Sequence, residues 1–249
     1  SLRSIYPRFG LNPLLKKLAS RILHENSLNN HDAWPYPNKY FALKAKNYCD
    51  QYTSAKKSFI KMQGSLFFLI TTEAASNYAR TFWQHTGLGA SSRQAAIDLN
   101  LELSPDKNLV NECKFKLIDR ISSFTNTDPK LIYLTSSGMS AFHTALEIIY
   151  KIFPKRPTLQ IGFPYVDVLK LPKNIFYGAH LITEESIQDI ELEIKRINPS
   201  ALIIELPSNP LLKCTNIKKI SKIANDLKIP VITDDTIGSN ININSLEVS

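Results

Sequence analysis

The sequence predicts an α/β protein: a mostly parallel sheet sandwiched by helices, with a helical N-terminal region in front of it. Three observations carry this prediction. From Leu131 onward, short apolar runs alternate with amphipathic stretches. The runs "LIYLT", "TLQIGF", "ALIIEL" and "IPVIT" are nearly continuous in apolar residues, the pattern of strands buried on both faces. Ile187, Ile190, Ile194 and Ile197 recur at helical spacing, and so do Ile217, Ile220, Ala224 and Leu227.

Taken in order, Asn12-Pro13 is an N-cap and first-turn pair, opening a helix to about Glu25 with Leu14, Leu15, Leu18 and Ile22 on its apolar stripe. "NNHDAWPYPN" (Asn29–Asn38) reads as a loop, rich in Pro and Asn. A lysine-rich helix follows, then the strand "LFFLI" and the helix "EAASNYARTFW". "QHTGLGASSR" (Gln84–Arg93) has two glycines and small polar residues, and reads as an irregular loop. A long helix over about Asn108–Ser122 places Leu109, Val110, Cys113, Leu117, Ile118 and Ile121 on one face. The regular part then runs strand "LIYLT", helix "AFHTALEIIYKIF", strand "TLQIGF", a short helical piece, weaker strand "AHLIT", helix from Ile187, strand "ALIIEL", helix from Ile217 and strand "IPVIT".

Composition narrows the function classes. The 43% apolar and 10% aromatic fractions are those of an ordinary globular protein. The longest apolar stretch, Leu66–Ile70, is strand-sized, so no membrane span is expected. The chain starts at Ser1 without the zones of a signal peptide, which reads as an internal segment of a longer protein. Cys49, Cys113 and Cys214 are odd in number and widely separated, which points to reduced thiols and a cytoplasmic location. The net charge of +8 invites nucleic-acid binding, but the lysines are scattered among Glu and Asp with no basic run interleaved with aromatics. No nucleic-acid partner is expected. His24, His31, His85, His143 and His180 show no metal-ligand spacing.

Open α/β sheets bind ligands beyond the carboxyl ends of their strands. Ser136-Ser137-Gly138-Met139 follows "LIYLT", and Pro164-Tyr165 follows "TLQIGF". Ser208 and Asn209, between Pro207 and Pro210, follow "ALIIEL"; Asp234, Asp235 and Thr236 follow "IPVIT". Together these groups suit an aromatic, phosphorylated ligand. The Ser-Ser-Gly turn offers backbone amides and a helix N-terminus to a phosphate. Tyr165 offers a flat face, Asp234 can hold a heterocyclic nitrogen in its cationic form, and Asn209 can donate to a ring oxygen or carboxylate. Taken singly, each has a plainer reading: an N-cap, a packed aromatic, a proline turn, and an aspartate pair that caps a turn or binds a divalent cation.

"TSSGMSAFHTAL", "ELPSNPLLKCTNIKKISKIA" and "VITDDTIGS" resemble segments of the pyridoxal-phosphate enzymes of cysteine and methionine metabolism. "FPYVDVLK", "WQHTGLGASSR" and "IYPRFGLNPLLKKLA" are most similar to those of fungal-type cystathionine γ-synthases. The resemblance is firmest over Leu131–Ser239. It implies a fold type I large domain, with residues 1–107 as an N-terminal helical region and interface loop, and 108–249 as an incomplete pyridoxal-phosphate-binding domain.

It also implies a role for each group. Gly138 and Met139 supply amides to the cofactor phosphate, with Ser137 beside them. Tyr165 stacks on the ring and handles protons, Asp234 pairs with the ring nitrogen, Thr236 lines the ring, and Asn209 lies near the ring oxygen and substrate carboxylate. Asp235 stands where the commoner sequence has asparagine. Arg93, in Ser91-Ser92-Arg93, matches the arginine that reaches the neighbouring subunit's phosphate, although the tyrosine two residues before it in many relatives is absent. The family's Schiff-base lysine and carboxylate-binding arginine are expected beyond Ser249, and Lys170 and Lys213 lack the lysine's context. The implied activity is γ-replacement on an O-acylhomoserine by cysteine, with a cystathionine β- or γ-lyase and a non-catalytic relative as alternatives. The implied partners are amino-acid substrates and identical subunits, in a dimer or tetramer, and this stretch alone is expected to be inactive.

Overall fold

The structure, a computed structural model, describes residues 10–53, 58–183 and 186–247. The start of the "IYPRFGLNPLLKKLA" segment and Ser249 lie outside them. The chain divides into two compact units: residues 1–107 with 136–140, and residues 108–135 with 141–249.

In the first unit, α1 (Pro13–Glu25) begins where Asn12 Oδ1 accepts the Leu14 amide at 2.9 Å, with proline in the first turn. Its buried face, Leu15, Leu18, Ala19 and Ile22, packs on Ala33, Leu66, Phe68 and Ile70. Those residues belong to β1 (His31–Tyr36) and β3 (Leu66–Thr72), which with β2 (Ser58–Gln63) form an antiparallel sheet in the order β1-β3-β2. The expected loop over Asn29–Asn38 is therefore a strand. Pro35 is compatible with it because β1 is at the sheet edge, where a missing N–H costs no ladder bond. The N-terminal region is thus a helix-and-sheet unit; besides α1 it contains α2 (Lys39–Tyr52), α3 (Glu73–Thr86) and α4 (Ser92–Asp98).

The expected loop over Gln84–Arg93 is shorter than read. α3 runs to Thr86, and Ser91 starts α4 with a reciprocal capping box to Gln94. Between the helices, Gly87 takes the left-handed conformation (φ 65°), and the Ala90 amide donates to the Pro35 carbonyl at 3.0 Å.

The second unit is built on β4 (Thr158–Ile161), β5 (Ala179–Ile182), β6 (Leu202–Glu205) and β7 (Val231–Asp234), all parallel in the order β5-β4-β6-β7. Four helices alternate with them: α6 (Gly138–Ile152), α7 (Val166–Ile175), α8 (Ile187–Ile197) and α9 (Ile217–Asp226). Every residue of β4 and β6 is buried, as the continuous apolar runs require. On one face Leu159, Ile161, Leu202 and Ile204 pack with Ile190 and Ile194 of α8 and Ile220 and Ala224 of α9. On the other, Gln160 Nε2 donates to the Val168 carbonyl of α7 at 3.5 Å. The fold class is α/β with a parallel sheet between helices.

Two elements differ from the sequence reading. "LIYLT" forms a 3-10 turn at Pro129–Leu131 and then extended chain, not a ladder strand. A strand exists only against another backbone, and among the described residues none pairs with this run. The long helix is present as α5 (Lys107–Thr125), but its apolar face is open: Leu109 is 57% and Leu117 47% exposed. Among the described residues no helix is long and apolar enough to cross a membrane.

Candidate active site

The sheet register sets the centre of the site. Glu205, the last residue of β6, lies directly opposite Asp234, the last of β7. Oδ1 of Asp234 accepts from both the amide (3.1 Å) and the hydroxyl of Thr236. This turn closes on itself through Asp234 alone, and among the described residues no hydrogen bond occupies Oδ2.

Tyr165 follows β4, the strand adjacent to β6, and is the half-buried residue that starts α7. Its amide donates to Glu205 Oε2 at 2.7 Å. Asn209 is exposed on the loop after β6, shaped by the buried Ser208. The Ser208 amide donates to the Lys213 carbonyl at 3.0 Å, and its hydroxyl accepts the Lys213 amide at 3.2 Å. The structure therefore brings Tyr165, Asn209, Asp234 and Thr236 to one edge of one sheet.

Glu205 was not singled out from the sequence. Its signal was there: a carboxylate closing an apolar strand sits in a position that residue type almost never occupies unpaired. It is 6% exposed. Burial pushes its carboxyl above the ordinary value, and the neighbouring Asp234 adds to that; the amides of Tyr165 and Asn209 pull the other way.

Asp235 faces a different environment from Asp234. Oδ2 accepts the Ser245 hydroxyl, while Oδ1 is buried and among the described residues makes no hydrogen bond. Burial raises its carboxyl, opposed by the Ser245 hydrogen bond and the nearby Thr233 hydroxyl and reinforced by Asp234. A folded-state value above the unfolded one means the native state binds the extra proton. Stability therefore rises as pH falls from above the raised value toward the ordinary carboxylate range. Asp235→Asn removes one such group, so urea midpoints measured at pH 7 and pH 5 should differ less in the variant than in wild type. An equal difference in both would contradict this.

The phosphate-like turn belongs to the first unit. Ser137 caps α6: its hydroxyl accepts the Ser140 amide at 3.2 Å, and its own amide donates to Ser140 Oγ at 3.0 Å. Gly138, which is exposed, and Met139, which is half-buried, are the next two residues of the helix start, at its positive end. A Cβ added to Gly138 would meet nothing within 4 Å, so open space lies over the turn. Gly87 lies against its other side. A Cβ there would come within 2.7 Å of Ser137 Oγ and 2.8 Å of both Met139 Cβ and the Ser140 amide nitrogen. Gly87→Ala should therefore cost more than the roughly 1–2 kcal/mol of a left-handed non-glycine residue, because the turn must also move. Thermal unfolding measures it, and an unchanged midpoint would contradict the contact. Arg93 is in the first turn of α4 and exposed, with no hydrogen bond to the Ser136–Ser140 turn among the described residues.

The residues fit pyridoxal phosphate unit by unit: open space over a helix start for a phosphate in the first, and in the second an aromatic residue at the end of β4 with an aspartate at the end of β7 that has an open oxygen. Lys170 and Lys213 are both exposed. Among the described residues no three His, Cys, Asp or Glu side chains group as metal ligands.

A profile of the Cys/Met metabolism PLP-dependent enzymes matches residues 109–249. The chain belongs to this family, whose cofactor is pyridoxal phosphate. It is 34% identical over 128 residues to a cystathionine γ-synthase of Neurospora crassa, covering 47% of this chain and 20% of that protein. It is 28% identical over 134 residues to the cystathionine γ-synthase-like enzyme iboG2 of Amanita muscaria, covering 49% and 21%. Among solved structures it resembles metB from Corynebacterium glutamicum with a TM-score of 0.41 and 20% identity, covering 45% and 30%. The matched stretch spans about a fifth of the length of these two curated relatives.

Proposed function

We propose that the chain is the cofactor-holding part of a cytoplasmic transsulfuration enzyme that replaces the acyloxy group of an O-acylhomoserine with the sulfur of cysteine, giving cystathionine. The observation that supports this most is the edge shared by Tyr165, Asp234 and Thr236, within a chain 34% identical over 128 residues to a cystathionine γ-synthase. In this reading residues 108–249 are the part of the pyridoxal-phosphate domain present here.

When bound, the cofactor supplies an electron sink for carbanion chemistry. The chain's own residues do the rest. Asp234, fixed by Thr236 on Oδ1, holds a proton at the ring nitrogen through Oδ2 in a charge-assisted hydrogen bond. Tyr165 would offer the ring an aromatic surface, exclude water from it and relay protons through its hydroxyl. Asn209 orients the ring oxygen and the substrate carboxylate. The amides of Gly138 and Met139 bind the phosphate with the α6 dipole behind them, the Ser137 hydroxyl lies beside it, and Arg93 reaches the phosphate of a second subunit in a homo-oligomer.

The test is to assay the full-length protein with cysteine plus a homoserine ester, and separately with cystathionine alone. γ-Replacement in the first mixture supports the reading. Breakdown of cystathionine without replacement would make the protein a lyase instead. The 249-residue chain alone should show neither activity.

A further inference from the structure

We propose that Glu205 is a positioning residue of this site: its buried carboxylate ties the turn carrying Tyr165 to the end of β6, the strand that pairs with Asp234 of β7. The inference rests on the reading of these residues as the cofactor's ring site.

Three observations carry it. Glu205 is nine-tenths buried, on a strand whose other residues are apolar. A carboxylate is costly there unless its oxygens are satisfied. The partner it has is not a cation, since no basic side chain among the described residues pairs with it; it is the Tyr165 amide at 2.7 Å, a residue forty positions away. That amide starts α7, so the bond also places negative charge at the positive end of a ten-residue helix. Finally, the register holds Glu205 directly across from Asp234, so the residue that anchors Tyr165 is fixed by the sheet to the residue that would face the ring nitrogen.

A group retained only to fill the end of β6 would be better served by an apolar side chain, which needs no partner. The carboxylate instead converts the strand's position into the position of the Tyr165 backbone. The Asn209 amide also favours its charged form. One side chain thus couples the segments that carry Tyr165 and Asp234.

The test compares wild type, Glu205→Gln and Glu205→Ala in the 249-residue chain by residue-resolved amide hydrogen exchange and by titration with pyridoxamine 5′-phosphate, a probe that needs no covalent bond to the protein. Glu205→Ala should speed exchange at the Tyr165 amide at least about tenfold while the β6 amides of Ile203 and Ile204 keep their protection. Glu205→Gln keeps an acceptor oxygen and the volume, and should restore Tyr165 protection to within about threefold of wild type. Probe affinity should fall at least about tenfold in the Ala variant and follow the same order. Tyr165 exchange unchanged in Glu205→Ala, or Gln behaving as Ala does, would overturn the proposal. So would probe affinity that ignores the loss of Tyr165 protection. If even wild type leaves the probe unbound, the cofactor reading falls, while the exchange comparison still decides whether Glu205 anchors Tyr165.

Discussion

Asp234→Asn should lower the affinity for pyridoxal 5′-phosphate by about ten- to a hundredfold. A hydrogen bond to a charged partner contributes about 1.5–3 kcal/mol, and about 1.4 kcal/mol is a factor of ten. The change is chosen because it leaves the local fold alone. Asn Oδ1 can still accept from the Thr236 amide and hydroxyl, which now converge on Asp234 Oδ1. What is lost is the negative charge at the end of β7, and with it the preference for a protonated ring nitrogen. An equilibrium titration of the full-length protein followed by cofactor absorbance measures the effect. Equal affinities would remove Asp234 from the site.

The second large effect is on stability. Ile194 is fully buried on α8, in the cluster that joins Leu159 and Ile161 of β4 to Leu202 and Ile204 of β6. Ile194→Ala should destabilise the second unit by about 2–5 kcal/mol through lost burial plus the cavity left behind. That is a large fraction of the ~5–15 kcal/mol typical of a whole domain. Leu192 lies two residues away on the same helix but is 64% exposed, so Leu192→Ala should stay within about 0.5 kcal/mol of wild type. Urea unfolding of the two variants side by side checks both values. Similar losses would mean that α8 is not packed as described.

How much of this was legible in the sequence follows from what each element depends on. β4 and β6, with α8 between them, were legible because burial on both faces forces nearly unbroken apolar runs and a helical return; α9 and the half-buried β7 repeat that pattern. Knowing where those runs stop also located Tyr165, Asn209, Asp234 and Thr236 at strand ends. β1 was hidden by Pro35 and its Asn/Pro flanks; only pairing with β3 and an edge position reconcile that proline with a strand. β2 was missed because "SFIKMQ" is half polar and owes its conformation to β3. "LIYLT" went the other way, since apolar β-branched character does not supply a neighbouring backbone. α4 was hidden in a glycine-containing stretch, though its Ser-x-x-Gln capping box could have revealed it. Glu205 was missed because its importance lies in a hydrogen bond to a residue forty positions away, which spacing along the chain cannot display.

The central claim is that the turn before α6 answers to the phosphate of pyridoxal phosphate and the β6–β7 strand ends to its ring, each within its own unit. A 1H–15N chemical-shift titration of the chain with pyridoxamine 5′-phosphate tests it most directly. The account predicts saturable shifts concentrated at the amides of Gly138, Met139, Tyr165, Asp234 and Thr236, with the α8 amides unmoved. Shifts confined to exposed lysine-rich segments, or none at these five positions at saturating probe, would contradict it.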